Sequence, residues 1–292
     1  MSIFLRTASR RMATGAVLVA FACVGAMLLP ASAADPKGAA IPNFAPDTNT
    51  SWTTSRPTMD DFLPPASGPG PVMSDPAHPY VPNGNGRQPT YRVADLTNPI
   101  LTPWAIEKMK KSNDEVLAGK VPYIARERCW PAGVPGLNVY TRGQPLYFLQ
   151  TAKEVTIVNE LSTQVRHIYL NVPHSKDPKP SWYGESVGRY EGDELVIDTI
   201  GLNDRTYVDN YRTPHTDKMH VVERFKLIDG GKTLQATMTV DDPGAFRMPW
   251  SAVQRWSRQQ VRPMIEDYCA ENNSFFFGYD VAPIPHADKP DF

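Results

Sequence analysis

The chain has 292 residues, of which 41% are hydrophobic and 21% charged, and its formal net charge is −1 at pH 7. This length suits one all-β domain with extensions or two small domains. The balanced charge, with no basic run and no stripe of basic and aromatic residues, excludes a protein built to bind nucleic acid.

Residues 1–33 are predicted to be a signal peptide. Three arginines precede an apolar run at 13–29, and the small residues Ala31-Ser32-Ala33 form a cleavage site. The Arg10-Arg11 pair leaves both the twin-arginine and the general secretory route open. We therefore expect a periplasmic or secreted protein without a transmembrane span. Because the segment carries three arginines and no acidic residue, the remaining 259 residues have a net charge of −4.

Two cysteines, Cys129 and Cys269, remain in the mature chain. Exported proteins meet an oxidising compartment, in which paired cysteines form disulfides. Two cysteines alone make a poor metal site, because structural zinc takes four ligands. We therefore expect one disulfide between them.

Residues 34–102 form an N-terminal extension rich in proline and glycine. Such a composition cannot hold regular strands or helices for long. The extension nevertheless carries more large apolar side chains than a linker needs, among them Trp52, Phe62, Tyr80 and Tyr91. We expect its later half to pack on the surface of the following domain.

Residues 103–292 are predicted to form a domain of one or two short helices and a β-barrel. Thr102 is a suitable cap for a helix over Pro103–Ala118, which Gly119 ends, and a second short helix is expected around Met264–Cys269.

Eight segments have the alternation and the flanking turn residues of strands. They are Leu146–Gln150, Val155–Leu161, Val165–Asn171, Ser186–Tyr190, Leu195–Ile200, His220–Ile228, Leu234–Val240 and Ala252–Gln259. Closely spaced strands joined by short turns predict an all-β, antiparallel, lipocalin-like barrel.

Glu223 is the one charged residue on the apolar face of the strand His220–Ile228, where alternation places it among apolar side chains. Burial there disfavours a charged carboxylate unless a cation or a hydrogen-bond donor meets it. Two interpretations stay open: an internal salt bridge, to Arg205 or Arg189, and a functional acid. Asp198 raises the same question on a neighbouring strand.

Three histidines lie in or beside the same stretch: His174, His215 and His220. One interpretation is a metal-free acid/base pair, with a histidine at the barrel mouth and Glu223 or Asp198 as its carboxylate. Another is a zinc site with the three histidines as ligands and an open fourth position. The third is that the histidines cap loops and bond to the backbone.

Polar and aromatic residues suggest a binding site nearby. Asp204 and Arg205 follow a strand closely. There they either orient a substrate oxygen or stabilise a turn through side-chain hydrogen bonds. Four aromatic residues either line a pocket or form the core: Trp182, Tyr183, Tyr207 and Trp250. A pocket of this kind suits a small apolar or aromatic molecule with a few oxygens.

Three motifs occur in order: GxSxGxxEGDxLVxDTxGxND, PHTxxxHVVERF and DDPxxFxxPW. In these the chain resembles a widespread family of uncharacterised exported bacterial proteins, over about 103–273. It departs from the family pattern at Tyr190, Leu202 and Tyr207, where relatives carry Trp, Phe and Trp. The resemblance implies that the cysteine pair and these polar residues recur: His174, Asp198, Asp204, Arg205, His215, His220 and Glu223. It implies no reaction.

A carrier needs an apolar pocket with few polar groups, whereas residues 180–243 concentrate titratable side chains. We therefore predict an exported lyase or isomerase that performs cofactor-independent acid/base chemistry: elimination, hydration or isomerisation. The alternatives are a periplasmic lipocalin-like carrier of a small hydrophobic ligand and a histidine-ligated, zinc-dependent hydrolase. Hydrolysis is disfavoured relative to these reactions, because no Ser or Cys nucleophile stands beside a histidine in a recognisable setting.

Overall fold

The computed structural model describes residues 41–47, 49–54, 61–80, 92–120, 129–139, 145–160, 164–260, 264–267 and 269. The predicted signal peptide with its cleavage site lies outside these residues, as does Tyr91.

Nine strands and one α-helix make up the described part of the chain. The strands are β1 (Thr50–Thr54), β2 (Leu146–Gln150), β3 (Glu154–Asn159), β4 (Gln164–Leu170), β5 (Glu185–Glu191), β6 (Glu194–Ile200), β7 (His220–Ile228), β8 (Thr233–Asp241) and β9 (Trp250–Gln260). The helix, α1, is Pro103–Leu117, and 3-10 turns occur at Gly136–Asn138 and Asp229–Gly231.

The strands close into a barrel in chain order, with β1 bonded to β9. The pair β4–β5 is parallel, at Tyr169↔Val187 and Leu170↔Gly188, and the other pairs are antiparallel. The barrel is therefore mixed and not fully antiparallel as expected. The physical reason is the connection 171–184, which turns the chain back so that β5 starts alongside the middle of β4 and runs in the same direction.

The strand β1 corrects the expectation that the N-terminal extension holds no regular strand. It pairs with β9 over five residues and meets β2 at Trp52↔Leu146. Its β-branched threonines and buried Trp52 fit a pleated, half-buried surface. The extension therefore supplies the strand that closes the barrel.

The helix α1 forms as predicted, with Thr102 as its cap accepting from the backbone N–H of Ala105. Its buried Asn113 exchanges two hydrogen bonds of 2.9 Å with the backbone of Ala94, which packs the extension on the helix. Residues 264–267 are not helical, so the second helix is absent from the described part of that segment. No helix within the described ranges has the length and apolar character needed to cross a membrane.

The barrel interior follows the predicted alternation. In β8, Leu234, Ala236, Met238 and Val240 are all fully buried. Aromatic rings continue this core across the barrel, with ring centroids 5.9 Å apart in each of two successive contacts: Phe148 with Phe225, and Phe225 with Trp256.

A buried ion pair crosses the interior. Arg166 Nη2 lies 2.5 Å from Glu223 Oε2, and the two side chains are 1% and 0% exposed. Arg166 also donates to Ser186 and Thr199. The internal salt bridge expected for Glu223 is therefore present, but with Arg166 as its partner. Arg189, one of the two expected partners, pairs with Glu191 at the surface instead.

Residues 132–139, here called the plug segment, enter one end of the barrel and are all buried. Asn138 donates to Glu223 Oε1 at 2.8 Å, and Gln254 donates to the Asn138 carbonyl at 2.9 Å. The disulfide Cys129–Cys269, predicted from the sequence, lies just before this segment. It ties the start of the plug to the C-terminal region.

We expect Glu223→Gln and Arg166→Met each to lower the free energy of unfolding by about 3–5 kcal/mol, because each leaves a buried partner uncompensated. The double variant Arg166→Met/Glu223→Leu should recover most of this loss, since it removes both charges. Urea denaturation measures the three values. Arg189→Gln, at an exposed ion pair, is the control and should change stability by about 1 kcal/mol or less. If the double variant loses as much free energy of unfolding as the two single variants together, the two residues do not form a coupled ion pair.

The disulfide closes a loop with a sequence separation of 140 residues. Its replacement, Cys129→Ser/Cys269→Ser, should therefore cost roughly 3 to 5 kcal/mol, chiefly by freeing the unfolded chain. Urea denaturation of both proteins tests this value. Thiol titration of the unreduced, denatured mature protein should find no free thiol, and two free thiols would rule the disulfide out.

Candidate functional site

Four titratable side chains meet on the outer wall of the barrel: His174, Glu185, Asp198 and His220, here called the outer cluster. Asp198 points outward because its neighbours in β6, Ile197 and Thr199, point inward and are fully buried. His220 opens β7, Glu185 opens β5, and His174 lies in the connection between β4 and β5.

Asp198 is the centre of the outer cluster. Its Oδ1 lies 2.9 Å from Nε2 of His174 and 2.9 Å from Nε2 of His220. The other ring nitrogen of His174, Nδ1, lies 3.0 Å from Glu185 Oε1. The backbone N–H of Ser175 also donates to that Glu185 oxygen, at 2.7 Å. A continuous chain of hydrogen bonds therefore runs from Glu185 to His220.

Ionised carboxylates only accept hydrogen bonds, so these contacts assign the ring protons. His174 faces a carboxylate at each ring nitrogen, so each nitrogen that carries a proton donates it to a carboxylate. His220 donates from Nε2, and its Nδ1 has no hydrogen-bond partner in the part of the chain that the structure describes. In the neutral form of His220, that Nδ1 carries a lone pair, and the side chain is 43% exposed.

The cluster also shifts the pKa values of its carboxyl groups. Burial acts to raise the pKa of Asp198, but the hydrogen bonds and charges of His174 and His220 outweigh it, so this pKa lies below its usual range. Hydrogen bonds from the side chain and backbone of Ser175, and then from His174, lower the pKa of Glu185. Both carboxyl groups are therefore ionised at neutral pH.

An open cleft of about 540 Å³ lies at the same end of the barrel. Its lining consists of Pro180, Ser181, Trp182, Asn203, Asp204, Arg205 and Asp217. The lining segment 180–182 runs into β5, the segment 203–205 follows β6, and Asp217 precedes β7. The three segments that form the cleft thus adjoin the strands that carry Glu185, Asp198 and His220.

The tryptophan of the cleft is held by its neighbours. Trp130 packs against Trp182 with ring centroids 5.1 Å apart, and the Arg205 guanidinium lies 5.9 Å from the Trp182 ring centre. The backbone joins the two halves of the cleft, because Ser181 N–H donates to the Gly201 carbonyl and Asn203 N–H donates to the Ser181 carbonyl. The lining is therefore preorganised.

His215 does not join the other two histidines. It is buried, with Nε2 2.9 Å from Thr206 Oγ1 and Nδ1 3.1 Å from the Thr216 carbonyl. Burial lowers the pKa of His215, which favours the neutral ring. Among the described residues, no group of three or more His, Cys, Asp or Glu side chains is arranged to hold a metal ion. The structure therefore does not assemble the three histidines of the zinc interpretation.

The remaining predicted site residues lie elsewhere. Glu223 is inside the barrel, on the opposite face of β7 from His220. Tyr183 donates to Gln164, and burial raises the pKa of its hydroxyl. Tyr207 packs on the core, and Trp250 is buried against Phe246. Of the predicted substrate-binding residues, Trp182, Asp204 and Arg205 line the cleft, whereas Tyr183, Tyr207 and Trp250 do not appear in its lining.

Sequence reasoning missed two titratable residues of the site, Glu185 and Asp217. The position of Glu185 could have been predicted from the hairpin whose turn is at Gly192. This hairpin pairs Val187 with Asp198. Glu185 lies two residues before Val187 on the same face, and is therefore diagonally beside the Asp198 carboxylate. No comparable sequence signal identifies Asp217, which comes to the cleft through the irregular segment before β7.

Comparison of the chain with models of protein families gives no match, and no curated protein matches it either. The resemblance to exported bacterial proteins therefore stays a prediction that rests on the three motifs.

The lowered pKa values of Asp198 and Glu185 predict a pH dependence of stability. When pH falls through about 4, the unfolded chain takes up these protons before the folded protein does. The ionised Asp198 and Glu185 therefore stabilise the folded protein above about pH 4, and this stabilisation is lost as the pH falls below that value. We expect the free energy of unfolding of the wild type to fall more steeply between about pH 5 and pH 3 than that of Asp198→Asn. Urea denaturation across this range, with the exposed turn variant Asp193→Asn as control, measures both slopes, and parallel curves would contradict the assignment.

Proposed function

We propose that this chain is an exported enzyme with a lipocalin-like barrel that performs metal-free acid/base chemistry on a small ring-bearing molecule. The reaction is an elimination, a hydration or an isomerisation. The observation that carries the proposal is the Asp198–His220 pair, which leaves Nδ1 of an exposed imidazole without a partner among the described residues. His220 opens β7 three residues after Asp217 of the cleft lining, and a carboxylate-held imidazole in such a position is suited to act as a general base.

His220 is the proton-transfer group of this proposal. Its Nδ1 takes a proton from a carbon of the substrate, and the Nε2–H bond to Asp198 stabilises the imidazolium that forms. In an isomerisation His220 returns the proton to a neighbouring atom of the substrate. In an elimination it delivers the proton to the departing hydroxyl, which leaves as water, and hydration is the reverse of that step.

His174 and Glu185 are positioning residues. They hold Asp198 through the His174 ring, so that the carboxylate keeps its orientation when His220 changes charge. Asp198 and Glu185 give the outer cluster two carboxylates with lowered pKa values. Their negative charges stabilise the positive charge that His220 gains when it takes up the proton.

Trp182 and Arg205 give the cleft one ring-binding wall and one charged donor. The small apolar or aromatic ligand expected from the sequence enters the proposal as the ring that packs on Trp182. The disulfide Cys129–Cys269 supports a periplasmic or secreted location, because such bonds persist in oxidising compartments.

A lipocalin-like carrier, the alternative, holds its ligand inside the barrel. In this barrel the Arg166–Glu223 pair, the plug segment and the aromatic rings around Phe225 lie in the interior instead. The cleft and the outer cluster lie outside it. These positions favour chemistry at the barrel end over ligand storage within the barrel.

Deuterium exchange tests proton abstraction without knowledge of the net reaction. The protein is incubated in D₂O with a panel of ring compounds that carry a carbonyl or hydroxyl group, and mass spectrometry records deuterium at carbon. We expect His220→Gln to lower the exchange rate by about 10²- to 10⁴-fold, because it removes the base.

The matched control is His78→Gln, which alters another exposed imidazole beside an aspartate, Asp75, and should keep the wild-type rate. A chelator should leave the rate unchanged. Loss of exchange with chelator and its recovery with zinc would favour the metal-dependent hydrolase. Wild-type exchange in His220→Gln would remove His220 from the mechanism.

A further inference from the structure

The composition of the cleft restricts the chemistry of its ligand. Apart from Pro180 and Trp182, the lining residues are polar or charged: Ser181, Asn203, Asp204, Arg205 and Asp217. Small-molecule pockets are generally lined mostly by apolar side chains. A wholly apolar ligand in this cleft would strip water from these groups without replacing its hydrogen bonds, which costs free energy for each group.

The charges of the lining have both signs. Asp204 and Asp217 accept hydrogen bonds, whereas Arg205 only donates. A carboxylate ligand is attracted by Arg205 but repelled by two aspartates, and an amine is attracted by the aspartates but repelled by Arg205. A hydroxyl group both donates and accepts, so several neighbouring hydroxyls satisfy all three side chains without a net charge.

Trp182 adds the requirement for a ring. Its indole is fixed by Trp130 and by Arg205, so its exposed part forms a rigid wall on which the face of a ring packs at small entropic cost. The cleft is open and has a volume of about 540 Å³, which leaves room for more than one small ring.

We propose that the cleft binds a neutral polyhydroxylated ring compound, a saccharide. One ring packs on Trp182, and its hydroxyls bond to Asp204, Arg205 and Asp217. This inference rests on the proposed function, because it names the substrate class that the cleft presents to His220. It narrows the ring-bearing ligand of that proposal from an aromatic to a saccharide ring.

Binding is measured by isothermal titration calorimetry with the catalytically impaired His220→Gln protein, so that turnover does not interfere. The neutral probes are maltotriose and cellotriose, the anionic probe is trigalacturonate, and the aromatic probe is 2-naphthol. We expect at least one neutral trisaccharide to bind, and Trp182→Ala to weaken it about tenfold or more. Trp104→Ala, at a half-exposed tryptophan of α1 outside the cleft lining, is the matched control and should bind as the parent does.

The effect of the two aspartates on ligand charge is measured by comparing anionic and neutral trisaccharides. Trigalacturonate should bind the parent protein about tenfold or more weakly than the neutral trisaccharide, because two carboxylates face it. Asp204→Asn/Asp217→Asn should remove most of this discrimination. Binding of 2-naphthol alone, no binding of either trisaccharide, equal affinity in Trp182→Ala or unchanged discrimination in the double variant would overturn the inference.

Saccharide binding tests this inference, whereas deuterium exchange tests the proposed function, so the two can fail separately. Saccharide binding without deuterium exchange in the wild type supports the cleft assignment and removes the enzyme proposal. Deuterium exchange into an aromatic compound without saccharide binding supports the enzyme proposal and overturns the saccharide assignment.

Discussion

The ion pair between Arg166 and Glu223 sets the conditions for the rest of the structure. A buried charge without a partner is strongly destabilising, so the two strands that carry this pair must face one another across the interior. The remaining oxygen of Glu223 takes its donor from Asn138, which brings the plug segment into the barrel. The cleft and the outer cluster lie outside this occupied interior, at the barrel end.

The parallel pairing of β4 and β5 creates that outer site. An antiparallel hairpin at this point would join the strands by a short turn, whereas parallel pairing requires a longer connection that turns the chain back along β4. The connection 171–184 carries His174 to Asp198 and brings Trp182 beside the residues that follow β6. One topological feature therefore supplies both a member of the outer cluster and the wall of the cleft.

The sequence predicted eight of the strands, the helix, the disulfide and the inward face of β7, because each is a local pattern of alternation, capping or composition. It missed β1, whose five residues lie in a proline-rich setting that hides a short strand. Arg166, like Glu223, is a charged residue at a position where alternation predicts a buried side chain. Two buried charges of opposite sign need one another, so the ion pair could have been predicted from these two positions. The contact of His174 with Asp198 depends on the path of a long connection, which no local pattern determines.

The two histidines that share one oxygen of Asp198 are energetically coupled. A change in the orientation or charge of one alters the hydrogen bond available to the other, and such shared partners give non-additive effects. At the half-exposed wall, solvent weakens every electrostatic interaction of the cluster. A ring packed on Trp182 would exclude part of that water from the neighbouring cleft and so strengthen the field of Asp198 at His220. In the proposed mechanism, ligand binding and proton transfer would thus be linked, because a molecule in the cleft would also complete the environment of His220.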